Sequence, residues 1–219
     1  MAAGFEACLI DAYGTILHTD FSAYREELPA LAGIPADAMY AGFRRLAPAR
    51  TVGELSAAEA YRRILRACGV EPRPDLVRSL TDKTRELLLA AGRLYDDALP
   101  FLRTLRSRGV RTAIVSNCDE FTRDLLIELG VAALVDALVL SCEVRTAKPE
   151  AKIYRIALDQ LGVAAGDAMF VDDNAEFCAS AAALGIRAVQ IVRGELDGRA
   201  PAGATVARSL REVEATIGA

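Results

Sequence analysis

From Leu94 to Val192, short apolar runs alternate with helical patterns, and several of the runs end in polar residues. No other feature restricts the fold as much. Val110 to Val115 reads as a strand ending at Ser116 and Asn117. Ala137 to Leu140 reads as a second strand, and Ala168 to Val171 as a third, ending at Asp172, Asp173 and Asn174. Arg187 to Val192 reads as the last strand. Between them the spacing predicts helices over 99–107, 120–129, 149–161 and 175–184, closed by Gly109, Gly130, Gly162 and Gly185. Pro149 suits the first turn of its helix, where its missing N–H costs nothing. Short continuous apolar runs mark strands buried on both faces. Strand and helix in regular alternation build a parallel sheet with helices on both faces.

The same signature occurs at the start of the chain. Cys8, Leu9 and Ile10 form an apolar run too short for a helix, and Gly14 breaks it. Asp11 falls where that strand ends. Ligands of open α/β sheets bind at the carboxyl ends of the strands. A carboxylate is costly to bury there unless it meets a cation, a donor or a substrate. It can also attack an electrophilic centre and divide a hard reaction into two easier steps.

From about Phe21 to Ala91 the pattern is helical, with no clear strand. Ser22 caps a helix that runs toward Leu31, and Gly33-Ile34-Pro35 breaks it. A second helix spans 36–46. Ser56, with Glu59 three residues on, forms a capping box for a third, whose stripe is Ala60, Ile64, Leu65 and Cys68 and whose end is Gly69. Pro72 and Pro74 precede a fourth, over 76–90. This stretch is a small helical bundle inserted after the first strand, placed to exclude water from a site. Residues 195–205 read as an exposed loop and 209–217 as a terminal helix.

A chain of 219 residues holds one core domain and a small second one. Hydrophobic residues make up 53% and charged residues 26%, which excludes a disordered chain. The net charge of −4 gives no basic face for nucleic acid. No apolar run is long enough for a membrane span, and the N-terminus lacks the pattern of a signal peptide. Cys8, Cys68, Cys118, Cys142 and Cys178 are odd in number and scattered, as expected of reduced thiols in the cytoplasm.

Asp11, Ser116-Asn117 and Asp172-Asp173-Asn174 each have an ordinary reading as a turn or helix cap, and Lys148 as a solvated side chain. A parallel sheet brings its strand ends to one edge, and their coincidence there makes one site.

These positions resemble the four motifs of the haloacid dehalogenase (HAD) superfamily, in the family's order. Asp11, Gly14, Thr15 and Ile16 match motif I, with Tyr13 where most members have a second Asp. Val115-Ser116-Asn117 looks like motif II, Lys148-Pro149 with Tyr154 like motif III, and Phe170-Val171-Asp172-Asp173-Asn174 like motif IV. The helical insert lies where the family's C1 cap belongs, as in subfamily IA. The resemblance implies a HAD-like Rossmannoid core over 1–17 and 94–219 and a cap over 18–93. It implies that Asp11 is the nucleophile and a Mg2+ ligand, with the Tyr13 carbonyl, Asp173 and nearby Asp172 completing the protein's share of the metal site. Ser116 and the Asn117 backbone would hold a phosphoryl oxygen, Lys148 would neutralise charge, and Thr15 would support the turn and bond to Asp11.

Tyr13 divides the family readings. In the family's phosphatases the second Asp protonates the leaving alcohol, and a tyrosine, with a pKa of about 10, replaces it poorly. The family's 2-haloacid dehalogenases carry Asp-Ala-Tyr-Gly-Thr, as this chain does at 11–15, and a tyrosine at the position of Tyr154. They also have Ser-Ser-Asn in motif IV, an Asp where Phe177 stands, and a halide-binding Arg early in the cap, where Arg44 and Arg45 lie. Crowding Asp11, Asp172 and Asp173 without a cation would raise their pKa values and repel an anionic haloacid. The expectation is therefore a Mg2+-dependent phosphatase of a small metabolite, monomeric or homodimeric, with no nucleic-acid or membrane partner. The alternatives are a dehalogenase-type hydrolase and a metabolite-binding protein that has lost catalysis. His18, the only histidine, is a candidate replacement acid, against the ordinary reading of a solvent-facing residue at the hinge.

Overall fold

The structure, a computed structural model, describes residues 5–194 and 205–217. Ala7–Ile10 (β1) lies inside a six-stranded sheet, between Arg111–Ser116 (β4) and Ala168–Asp172 (β6). Ala137–Leu140 (β5) lies beyond β4, while Arg187–Ile191 (β7) and then Thr205–Ala207 (β8) extend the other side. Every adjacent pair is parallel.

All four side chains of β1 are fully buried, because successive residues point to opposite faces and both faces are covered. Ala7 and Leu9 join Val115, Phe170 and the apolar stripe of Ala151–Leu161 (α8). Cys8 and Ile10 join Ile114, Met169 and the stripes of Ala98–Ser107 (α5) and Leu210–Ile217 (α10). Ala175–Ala182 (α9) starts where the Asn174 side chain accepts from the N–H groups of Glu176 and Phe177, which satisfies two donors that a helix start leaves open.

Four helices follow the first strand: Ser22–Ala32 (α1), Ala36–Thr51 (α2), Ala57–Ala67 (α3) and Pro74–Ala91 (α4). They enclose their own apolar cluster, with Leu28, Met39, Tyr61, Ile64, Leu65 and Leu80 at its centre. This helical layer meets the core through ion pairs of Arg50 with Asp119 (3.0 Å) and Arg85 with Asp124 (2.7 Å). Ser141 Oγ also donates to the Thr51 carbonyl, at 2.7 Å. Gly53 sits at φ +68°, and a Cβ there would lie 1.9 Å from the Cys142 carbonyl oxygen, so only glycine fits this seam. No helix of the described residues is long and apolar enough to cross a membrane.

The structure departs from the sequence reading in several places. Leu17–Thr19 (β2) and Gly92–Leu94 (β3) form an antiparallel ribbon at the root of the helical layer. Each has only three residues, too few for a visible period. Helix α2 does not stop at Leu46 but continues through Pro48 to Thr51. Proline forfeits one N–H, yet the extra turn carries Arg50 onto Asp119. Ser56 Oγ accepts from the Glu59 N–H, but the Glu59 carboxylate turns to Arg62 and Arg63, and Glu120 of the core takes the Ala57 N–H. The capping box is thus half made within the helix and half supplied from the core. Helix α8 begins at Ala151, so Pro149 lies ahead of it rather than in its first turn. Ser141–Val144 (α7) adds a short turn after β5. Strand β7 is not the last, since Thr205 opens β8; the rest of the loop expected at 195–205 lies outside the described residues.

Phe170, on β6, is fully buried edge-on against Tyr154, with ring centroids 5.2 Å apart. Phe170→Ala should lower unfolding free energy in urea by about 3–5 kcal/mol. Ile127→Ala, at a position 57% exposed on Thr122–Glu128 (α6), should change it by no more than about 0.5 kcal/mol. Equal losses would contradict the assignment of Phe170 to the centre of the core.

Candidate active site

The register aligns Ile10 with Ile114 on one side and Val171 on the other, so three strand ends meet. Asp11 follows β1, Ser116 closes β4 and Asp172 closes β6. Lys148 reaches in from the loop before α8. Its Nζ donates to Asp11 Oδ1 and to Asp172 Oδ2, each at 2.6 Å. Its side chain is 1% exposed, and those of Asp11 and Asp172 are 7% and 0% exposed. Charges this deep survive only when paired and hydrogen-bonded. The Asn117 side chain fixes the loop by accepting from the Lys148 N–H and donating to the Lys148 carbonyl, both at 2.8 Å. The ammonium also faces the rings of Phe177 (5.1 Å) and Phe170 (5.5 Å).

Asp173 brings a third carboxylate. Oxygens of Asp11, Asp172 and Asp173 all lie within 4.8 Å of one another, with Asp173 on the solvent side. Gly14 makes this approach possible: it sits at φ +79°, and a Cβ there would lie 2.3 Å from Asp173 Oδ2. Gln190 Nε2 holds the Asp173 carbonyl at 3.1 Å. Burial and then repulsion from Asp11 raise the Asp172 pKa to about 7, against the pull of Lys148. Burial and Asp11 also raise Asp173. Burial opposes the charge of Lys148, but Asp11 and Asp172 outweigh it and raise its pKa. Three carboxylates around one ammonium leave a surplus of negative charge. An all-oxygen donor set of this kind fits a hard divalent cation such as Mg2+.

The hydroxyls behave differently from one another. Ser116 Oγ is buried and, among the described residues, has no hydrogen-bond partner. Thr15 Oγ1 is likewise buried without a partner, so the bond expected from Thr15 to Asp11 is not formed. Thr15 acts through its carbonyl, which accepts from Arg193 at 2.6 and 2.8 Å. Arg193 in turn pairs with Asp97 at 2.9 Å, tying the loop after β1 to the starts of α5 and α10. The Tyr13 hydroxyl bonds Thr122 Oγ1 at 3.0 Å rather than turning to Asp11. Burial pushes its pKa well above the ordinary tyrosine value, which removes it as an acid or base near neutrality. Tyr154 bonds Ser180 Oγ and the Phe177 carbonyl, so it braces α8 against α9 and does not enter the site.

Tyr13 and Asn117 also line a cavity of about 500 Å³ between the core and the helical layer. Arg50, Asp119, Thr122 and Tyr40 line it too, and sequence reasoning had singled out none of them. Arg44 and Arg45 are exposed and do not line it. Exposed His18 pairs with Arg93 across the ribbon and lies 5.0 Å from the Tyr95 ring, away from both the cavity and the carboxylates.

A family model for haloacid dehalogenase-like hydrolases matches residues 5–185. The chain is 30% identical to (S)-2-haloacid dehalogenase 1 of Pseudomonas sp. (strain CBS-3) over 85% of its length and 84% of that protein. It is 36% identical to the phosphoserine phosphatase of Thermus thermophilus, over 46% of its length and 41% of that enzyme. Among solved structures, a dehalogenase 27% identical to it superimposes with a TM-score of 0.67, covering 99% of this chain and 98% of the other.

The raised pKa of Asp172 has a defined effect on stability. Without a divalent cation, the folded chain keeps the Asp172 proton up to about pH 7, while the unfolded chain releases it near the ordinary value of 3.8. Folding therefore takes up a proton between these limits. The contribution is present below about pH 4 and is lost as the pH rises through about 7. In urea titrations with chelator, wild type should lose stability relative to Asp172→Asn across this window. Parallel pH profiles would contradict the assignment.

Proposed function

The chain belongs to the haloacid dehalogenase-like hydrolases, and from that premise we propose that it is a Mg2+-dependent phosphatase of a small metabolite. It acts through an aspartyl-phosphate on Asp11. The observation that carries this reading is the cluster of Asp11, Asp172 and Asp173 around one buried lysine. Asp11, Asp172, Asp173 and the Tyr13 carbonyl are the residues that would hold the cation. When bound, the cation supplies positive charge to the carboxylates and to the phosphoryl oxygens.

Lys148 occupies Asp11 Oδ1, which leaves Oδ2 to attack phosphorus. The Oδ2–P bond forms, and the bond from phosphorus to the leaving oxygen breaks, with its electron pair on that oxygen. Water then attacks phosphorus, releases phosphate and returns Asp11 as a carboxylate. Ser116 Oγ, buried and unpartnered, suits a phosphoryl oxygen, as does the Asn117 backbone beside it. Tyr13 donates no proton to the leaving group, so the reading favours phosphates that leave as stable anions or take a proton from water. Helices α1–α4, within 18–93, serve as a cap on a core of 1–17 and 94–219 that keeps bulk water from the intermediate. The five unpaired cysteines suit the cytoplasm.

A second reading, hydrolysis of a carbon–halogen bond through an ester on Asp11, is favoured by Tyr13 and by the full-length likeness to 2-haloacid dehalogenases. Two observations weigh against it. The carboxylate cluster repels an anionic haloacid, and Asp119 already matches Arg50, the one cation lining the cavity among the described residues.

Phosphate release from an aryl phosphate, with Mg2+ and with chelator, is compared with halide release from 2-chloropropionate. Mg2+-dependent phosphate release is expected; halide release that survives chelator would establish the second reading instead. Asp11→Asn should lower phosphatase turnover by about a thousandfold or more, and full activity in that variant would remove Asp11 as nucleophile. Tyr13→Asp should raise activity most on alkyl phosphates, whose leaving groups need the missing acid.

A further inference from the structure

Two of the cysteines stand side by side near the seam between the core and the helical layer. Strands β4 and β5 run in register to Ser116 and Leu140, and Cys118 and Cys142 each lie two residues beyond those ends. Neighbouring strands are about 4.8 Å apart, within the about 4.4–6.8 Å between Cα atoms that a disulfide spans. The Cys118 N–H donates to Ser141 Oγ at 2.9 Å, which holds the two loops together past the strand ends. The Cys118 thiol bonds the Cys142 sulfur, and this contact is the leading cause of a shift in each: it raises the Cys118 pKa and lowers that of Cys142. Cys118 is therefore the donor, and Cys142 carries the thiolate character. Glu143 and Asp119 oppose that charge, while the Arg123 guanidinium lies close enough to feel it.

The surroundings of the two thiols differ. Cys118 is buried and lines the cavity of about 500 Å³, beside Asn117 and Asp119. Cys142 is half-buried and lines a separate pocket of about 250 Å³ with Gly53, Ser56 and Glu120. A water molecule's share of liquid volume is about 30 Å³, so this pocket has room for hydrogen peroxide. Oxidation begins at a partly exposed thiol with a lowered pKa, and a neighbouring thiol resolves it. The other cysteines lack one or both conditions. Cys8 and Cys178 are buried, and burial pushes both pKa values up to about 12. Cys68, also half-buried, packs against the apolar cluster of the helical layer, which holds no other cysteine among the described residues.

We propose that Cys142 and Cys118 form a redox-modification site, in which hydrogen peroxide oxidises Cys142 and Cys118 closes a reversible disulfide onto it. The Cys142 thiolate attacks one peroxide oxygen. The S–O bond forms, the O–O bond breaks, and the departing hydroxide takes up the proton that Cys142 released and leaves as water. The Cys118 sulfur then attacks the sulfenic sulfur of Cys142. The S–S bond forms, the S–O bond breaks, and the hydroxide leaves with the Cys118 proton as a second water. Two thiols have lost two electrons, and one peroxide has become two waters. The disulfide ties the loop after β4 to α7. Cys118 follows Asn117, whose amide clamps Lys148, and the Cys142 carbonyl abuts Gly53 at the seam. The proposal goes beyond the phosphatase reading and does not depend on it.

The test uses the full chain, reduced, freed of reductant, kept in chelator and then treated with hydrogen peroxide. Thiols titrated with dithionitrobenzoate should fall by two from the five of the chain, and dithiothreitol should restore them. After the remaining thiols are alkylated, trypsin cuts at Arg123, between the two cysteines. The disulfide then appears by mass spectrometry as residues 112–123 joined to residues 124–145, two hydrogens lighter than the sum of the free peptides. Cys118→Ser keeps a hydrogen-bond donor for Cys142 but no sulfur to resolve it, so dimedone should capture Cys142 as the sulfenic acid. Cys142→Ser should keep all its remaining thiols over the time in which wild type loses two. An unchanged thiol count in wild type would overturn the proposal, as would a linked pair other than Cys118 with Cys142. Loss of Cys68 as fast as Cys142, or a Cys142 that ends as sulfinic acid with Cys118 free, would overturn it too.

Discussion

The Lys148 ammonium, held 2.6 Å from Asp11 and 2.6 Å from Asp172, is the contact on which the site depends. Each of these charges is too costly to bury alone. Asp11 is the residue after β1 and Asp172 the last of β6, so their meeting requires those strands to be neighbours in register. Lys148 comes from a loop that Asn117, just beyond β4, clamps at both its N–H and its carbonyl. Three strands and one loop are thus tied to a single buried charge. The apolar sheet beneath provides the rigidity: fully buried strands place their ends without freedom to drift.

Around this contact the labour is divided. The carboxylates and Lys148 form a strongly polar floor that opens to solvent through Asp173. The cavity above is apolar, and its few charges are paired with each other. Tyr13 stands at the border. Where a carboxylic acid would reach back toward the reacting atoms, its hydroxyl turns to Thr122, and the ring closes the wall. That arrangement takes the hydroxyl away from Asp11 and leaves a continuous apolar surface. The helical layer has its own apolar cluster and is fastened to the core by ion pairs, a short ribbon and the packing of Ala57 and Leu88.

Much of this was legible in the sequence because local rules coincide with the tertiary arrangement. Leu9 and Phe170 lie in apolar runs whose length and termination identify buried strands. Asp11, Ser116 and Asp172 follow such runs directly, so the parallel sheet predicts their convergence. Lys148 lies on no strand, and its place ahead of the Pro149 helix made it a candidate for the same edge, while its role came from the family resemblance. What escaped has no local signature. Arg50 was hidden because α2 continues past Pro48, and its value depends on Asp119, far away in sequence. Arg193 and Asp97 support the Thr15 loop across still longer stretches of sequence. The ribbon strands are too short for a pattern, and β8 begins beyond a loop that the sequence takes as the edge of the sheet. The Thr15 hydroxyl makes no bond to Asp11, since residue type does not fix where a hydroxyl points.

Asp11, Asp172 and Asp173 together offer the donor set of a hard divalent cation. Calorimetric titration of the chelator-stripped protein with Mg2+ tests this without any assumption about substrate. One Mg2+ per chain should bind, and Asp173→Asn should weaken it by more than the about tenfold typical of losing an outer-shell partner. No binding to the wild type, or equal binding to both proteins, would contradict it.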